Sequence, residues 1–99
     1  MRYLLSPEAE SDLDDIWNYT TETWSRGQAD KYILDIISDI ENVALGVRQG
    51  RGCDDIRQGY FKLLSGSHVV FFKLRGEPMD IVRILHQRMD FNRRLGDAT

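Results

Sequence analysis

Ile81-Val82-Arg83-Ile84-Leu85-His86-Gln87-Arg88-Met89-Asp90-Phe91 is the stretch on which the fold turns. It opens as a run of Ile, Val and Leu, the composition of a short buried strand. Arg83 interrupts that run, and a guanidinium beside a hydrophobic strand is costly unless it finds a partner or reaches solvent. The strand then runs into a polar tail that presents His86, Arg88 and Asp90 within five residues.

Working outward, two more strands precede it. Tyr60 to Leu64 and His68 to Arg75 flank a Ser65-Gly66-Ser67 turn, and Gly76-Glu77-Pro78 turns the chain into Met79 to Leu85. That pattern predicts a three-stranded antiparallel meander. Gly46 to Asp55 is a glycine-rich loop carrying Arg48 and Arg51. Such a loop can cradle phosphate, but no strand leads into it and no Gly-Lys-Ser/Thr follows, so a plain connector is the favoured reading.

Before the loop the apolar spacing is helical. Ala29, Tyr32, Ile33, Ile36, Ile37, Ile40, Val43 and Ala44 form a wide stripe that starts behind a Ser25-x-x-Gln28 capping box and stops near Gly46. An earlier helix over residues 7–23 begins at Ser6-Pro7 and carries Ala9, Leu13, Ile16, Trp17, Thr20 and Trp24 at helical spacing. Asp12, Asp14, Asp15 and Glu22 are expected on its solvated face. Helices this close in sequence make an antiparallel hairpin, and the second stripe is wide enough to pack on a sheet as well. Arg2 to Leu5 adds a short first strand. The expected fold is α+β, in the order β-α-α-β-β-β, with an N-terminal helical hairpin on a small, mostly antiparallel sheet.

Ninety-nine residues make one domain, 1–99. A hydrophobic share of 41% supports a modest core, and a mean hydropathy of -0.43 describes a soluble chain. No apolar run approaches the ~20 residues of a membrane span, and the apolar patch at the N-terminus is too short for a secretory signal. The single Cys53 cannot form an internal disulfide, which fits a reducing cytoplasm, and with two histidines no metal site or cofactor is expected. Net charge is -3, unevenly spread: residues 1–45 hold three basic and ten acidic side chains, residues 46–99 ten basic and six acidic. Two electrostatic faces, each suited to a different partner, follow from that split. The overall charge argues against a protein that wraps nucleic acid or reads its sequence directly.

His86 stands among polar groups and is the candidate general acid or base, with Arg83 and Arg88 able to stabilise a phosphate and Arg57 and Lys62 expected on neighbouring strands. Structural roles for these residues are favoured, because no general base stands at a fixed spacing. His68, at a strand start, is expected to bond the backbone. Trp17 and Trp24 read as core or groove lining, since a base-stacking platform belongs in basic surroundings.

Several segments together carry a resemblance to a known family. "LSPEAESDLDDIWNYTTETW", "QADKYI", "DDIRQGYFKL", "GSHVVFF" and "VRILHQRMD", in this order and spacing, resemble ParE toxins of the RelE/ParE toxin-antitoxin superfamily over nearly the whole chain. Phe61 stands where a basic residue is common in that family, and Arg94 where a histidine is usual. The resemblance implies the toxin of a type II toxin-antitoxin module, which acts in plasmid stabilisation and growth arrest. It would inhibit DNA gyrase by binding, without chemistry of its own, and be neutralised in a hetero-oligomer by a ParD-like antitoxin. On that reading Arg83, His86, Arg88, Met89 and Asp90 engage the target, and Leu13, Trp17, Ile33 and Ile37 contact the antitoxin. Two alternatives are a RelE-like mRNA endoribonuclease using His86 and Arg83, and an inactive fold that only binds antitoxin.

Overall fold

The computed structural model describes residues 1–74 and 76–96. Ser6 starts the first helix as expected: its Oγ accepts from the Ala9 amide at 2.9 Å, with Pro7 in the first turn. The elements run β1 (Tyr3–Leu5), α1 (Pro7–Thr23), α2 (Arg26–Ala44), β2 (Arg51–Gly52), β3 (Tyr60–Ser65), β4 (His68–Lys73), β5 (Met79–His86) and α3 (Phe91–Gly96). Ser25 Oγ accepts from the Gln28 amide at 3.1 Å, but among the described residues the reciprocal half of the capping box does not form. At the other end of α2, Gly46 sits at φ 79°. Its amide reaches Val43 O and that of Val47 reaches Asn42 O, the paired bonds of a glycine-terminated helix.

The five-stranded sheet has the order β1-β5-β4-β3-β2. The expected meander is its centre. β1 joins the far side in parallel, Tyr3 opposite Met79 and Leu5 opposite Ile81. Both helices pack on one face, where Ile16 of α1 and Ile36 and Ile40 of α2 meet Leu63, Val70, Phe72, Met79, Ile81 and Ile84. This is the α+β fold that the periodicity predicts.

Three features differ from the sequence reading. The loop after α2 contains β2, which pairs antiparallel with β3. The strand expected over residues 68–75 ends at Lys73, and Arg75 lies outside the described residues. A third helix, α3, follows β5 and covers the second face of the sheet. There Leu95 and Phe91 join Cys53, Tyr60, Val69, Phe71, Val82 and Leu85 in a second apolar cluster.

β5 therefore serves two cores. Phe71 pairs with Arg83 but Phe72 pairs with Ile81, which leaves Val82 as the extra residue of a bulge. The alternation slips there: Ile81 and Ile84 belong to the helix-side cluster, Val82 and Leu85 to the other.

Candidate functional site

Beyond Ile81, β5 has no strand beside it on the α1 side, because β1 ends at Leu5. Side chains from the start of α1 satisfy the exposed edge instead. Ser6 Oγ donates to Val82 O at 2.7 Å, and Asp12 Oδ2 accepts from the Ile84 amide at 2.9 Å. The same carboxylate takes Arg83 in a two-pronged pair, Nε to Oδ2 at 2.8 Å and Nη2 to Oδ1 at 2.9 Å. Arg83 Nη1 also reaches Arg94 O at 3.3 Å, so one guanidinium ties α1, β5 and α3 together.

This corrects the expectation that Asp12 lies on a solvated helix face. It is 9% exposed. Its place between Ala9 and Ile16, three and four residues away on the same helix side, was the available signal. Asp14 and Asp15 are exposed as expected. The Arg83 side chain, 13% exposed, faces inward and holds the strand end from behind.

Past Leu85 the chain turns outward. The His86 carbonyl accepts from the Met89 amide, and the Gln87 amide reaches Ser67 O, both at 2.9 Å, so the tip is anchored to the β3–β4 turn. Arg88, Met89 and Asp90 are exposed. Asp90 also caps α3, its Oδ1 accepting from the Arg93 amide at 3.3 Å.

His86 Nδ1 accepts from the Arg88 amide at 3.1 Å. A neutral ring held this way carries its proton on Nε2 and has no free lone pair to act as a base. Its ring stands edge-on to His68 at 5.3 Å, the two residues being paired across β4 and β5. His68 bonds a side chain, not the backbone: Tyr32 Oη lies 2.6 Å from its Nδ1 and itself accepts from the Ser67 amide. Burial, reinforced by the neighbouring His86 and opposed by Asp12, lowers the His68 pKa to about 4. His68 is thus neutral at pH 7.

The groups proposed for phosphate chemistry on neighbouring strands are only partly where the sequence suggested. Arg57 is not on a strand; it follows Cys53 in a loop, its guanidinium 5.9 Å from the centre of the Tyr60 ring. Lys62 lies on β3 opposite Arg51, and Phe61 packs face to face with Phe72 at 5.7 Å.

Leu13, Trp17 and Ile33 line one shallow groove between α1 and α2, of about 370 Å³, rimmed by Glu10 and Asp14. All three are half-buried. Trp17 Nε1 donates across the hairpin to Asp30 Oδ1 at 2.8 Å, which fixes the indole. Ile37 lies outside this groove and packs against the helix-side core. Trp24 is largely exposed at the hairpin tip. No helix among the described residues is long and apolar enough to cross a membrane.

Comparison with known proteins agrees with this architecture. The profile of the family described as "ParE toxin of type II toxin-antitoxin system, parDE" matches residues 3–91. A protein named Toxin ParE1 from Mycobacterium tuberculosis is 47% identical over 95 residues, covering 95% of this chain and 97% of its own length. Toxin ParE1 of Caulobacter vibrioides is 40% identical over 94 residues, covering 95% and 97%. A solved structure titled "Chromosomal ParDE TA system from P. aeruginosa" shares the fold with a TM-score of 0.75 at 21% identity, over 87% of this chain and 95% of that one. With the family profile matching most of the chain and relatives this similar over nearly their full length, the chain belongs to the ParE toxin family of type II toxin-antitoxin systems.

Proposed function

We propose that this toxin arrests DNA gyrase by binding it, and that a ParD-like antitoxin in the bacterial cytoplasm silences it by covering the α1–α2 groove. The observation that carries the reading is the projecting end of β5. His86, Arg88, Met89 and Asp90 are presented on a tip whose backbone is tied to Ser67 and whose root is clamped by Arg83 and Asp12. A pre-ordered tip loses little freedom on docking, which suits recognition. A general-base role for His86 finds no support, because its Nδ1 lone pair is occupied, and Arg83 faces α1.

The groove supports the antitoxin half of the reading. Its half-buried Leu13, Trp17 and Ile33 suit the apolar side of a partner segment, and Glu10 and Asp14 suit basic residues on it. A supercoiling and DNA-cleavage assay with purified gyrase tests the target. Accumulation of cleaved DNA is expected. Unaffected gyrase, together with message cleavage in a translating extract, would overturn the binding mechanism in favour of a ribonuclease.

A further inference from the structure

The basic second half of the chain holds a cleft that the reading above leaves unused. It has a volume of about 430 Å³, and Arg48, Arg51, Lys62, Gln87, Leu64 and Phe91 are among its lining residues. That volume falls in the ~300–1,000 Å³ range of ligand sites. Among the described residues no acidic side chain lines it.

Two features of its construction point to an anion. Arg51 and Lys62 stand directly opposite each other on β2 and β3. Like charges in that register repel, and among the described residues neither has an ion-pair partner. A polyanion laid between them would relieve the repulsion. Arg48 is held in place beforehand, its Nη1 on Asp39 Oδ1 at 3.1 Å and its Nη2 on Leu64 O at 2.9 Å. Between Arg48 and Arg51, Gly50 lies so close to the sheet that a Cβ there would stand 2.5 Å from Phe72 Cζ. The glycine-rich loop therefore lies flat on β3, and its two arginines flank the point of closest approach.

We propose that this cleft binds the phosphodiester backbone of a single-stranded nucleic acid, with the phosphates at Arg48, Arg51 and Lys62 and a base against Phe91. The aromatic wall distinguishes this ligand from an acidic peptide, because base stacking uses a ring and carboxylates do not. This assignment does not depend on gyrase being the target, and its test contains no gyrase.

The test is fluorescence anisotropy on the purified full chain with labelled oligo-dT, oligo-rU, a duplex of equal length and a poly-glutamate peptide, over a range of KCl. Binding to single strands is expected with a log–log salt slope near ~-2, three phosphates at ~0.7 each. Arg51→Gln and Lys62→Gln should each weaken binding about five- to tenfold and flatten the slope by ~0.7. Each removes a repulsion, so circular dichroism should show the fold retained. Preference for oligo-dT or oligo-rU identifies the source of the strand. No anisotropy change, binding indifferent to Lys62→Gln, or tighter capture of duplex or poly-glutamate would overturn the proposal.

Discussion

Asp12 on α1 and Arg83 on β5, 71 residues apart, meet in a two-pronged ion pair at 2.8 and 2.9 Å with both side chains nearly buried. The carboxylate also accepts from the Ile84 amide, so it stands in for a missing strand partner at the β5 edge. Asp12→Ala would take the two-pronged carboxylate partner from a nearly buried guanidinium and the acceptor from the Ile84 amide together. A loss of about 3–5 kcal/mol is expected in urea denaturation. Replacing both residues with apolar ones, Asp12→Leu with Arg83→Met, should cost less than the two single changes added together. A loss below about 1 kcal/mol for Asp12→Ala, the level of an exposed surface pair, would refute the clamp.

His68 makes stability depend on pH. Its pKa is about 4 in the folded chain against 6.5 for an unperturbed ring, so between those values the unfolded chain binds more protons. Stability is therefore fully present above about pH 6.5 and declines as the pH falls towards 4. The groups facing the ring are Tyr32, which bonds it, His86, which adds to the lowering, and Asp12, which opposes it. Urea denaturation at pH 7 and pH 5 should show the decline, and in His68→Gln the slope over that window should flatten. An unchanged slope in the variant would assign the decline to other groups.

Long, periodic elements could be read from the chain because their burial pattern repeats. The α1 helix was legible to the residue, since Ser6 and Pro7 mark its start and its apolar stripe runs on from there. β2 carried no such signal, as two residues are too few to show a period. The short α3 was hidden because Asp90 read as a target contact before its capping bond to Arg93 was visible. Asp12 was misplaced for a different reason. Its polarity argued for solvent, and only the approach of Arg83 and the Ile84 amide, a tertiary event, makes its burial affordable.

Gly50 and Gly27 should respond oppositely to alanine. A Cβ at Gly50 would lie 2.5 Å from Phe72 Cζ and 3.0 Å from Lys62 O, so the loop or the ring must move. Destabilisation of about 1–3 kcal/mol is expected, as for an overpacked core site. At Gly27, in the first turn of α2, nothing lies within 4 Å. Alanine there should stabilise by about 0.4–1 kcal/mol through the lost freedom of the unfolded chain. Thermal melts of the two variants read both signs, and equal effects would show that the loop does not lie tight against the sheet.

The proposed gyrase and antitoxin contacts imply two separable losses of function. The groove lined by Leu13, Trp17 and Ile33 lies on the helical hairpin, while Arg88 and Met89 stand on the tip beyond β5. Trp17 is held by Asp30 and is half-exposed, the situation of an aromatic anchor at an interface. Trp17→Ala should weaken antitoxin binding by about 2 kcal/mol, roughly 30-fold, and leave gyrase inhibition intact. Arg88→Glu with Met89→Ala should do the reverse, lowering gyrase inhibition by roughly tenfold or more with antitoxin affinity unchanged. Calorimetry against the cognate antitoxin and the supercoiling assay read the two quantities on the same purified variants. If Trp17→Ala impaired both, the groove and the tip would be parts of one surface, and the antitoxin would act by direct occlusion of the target site.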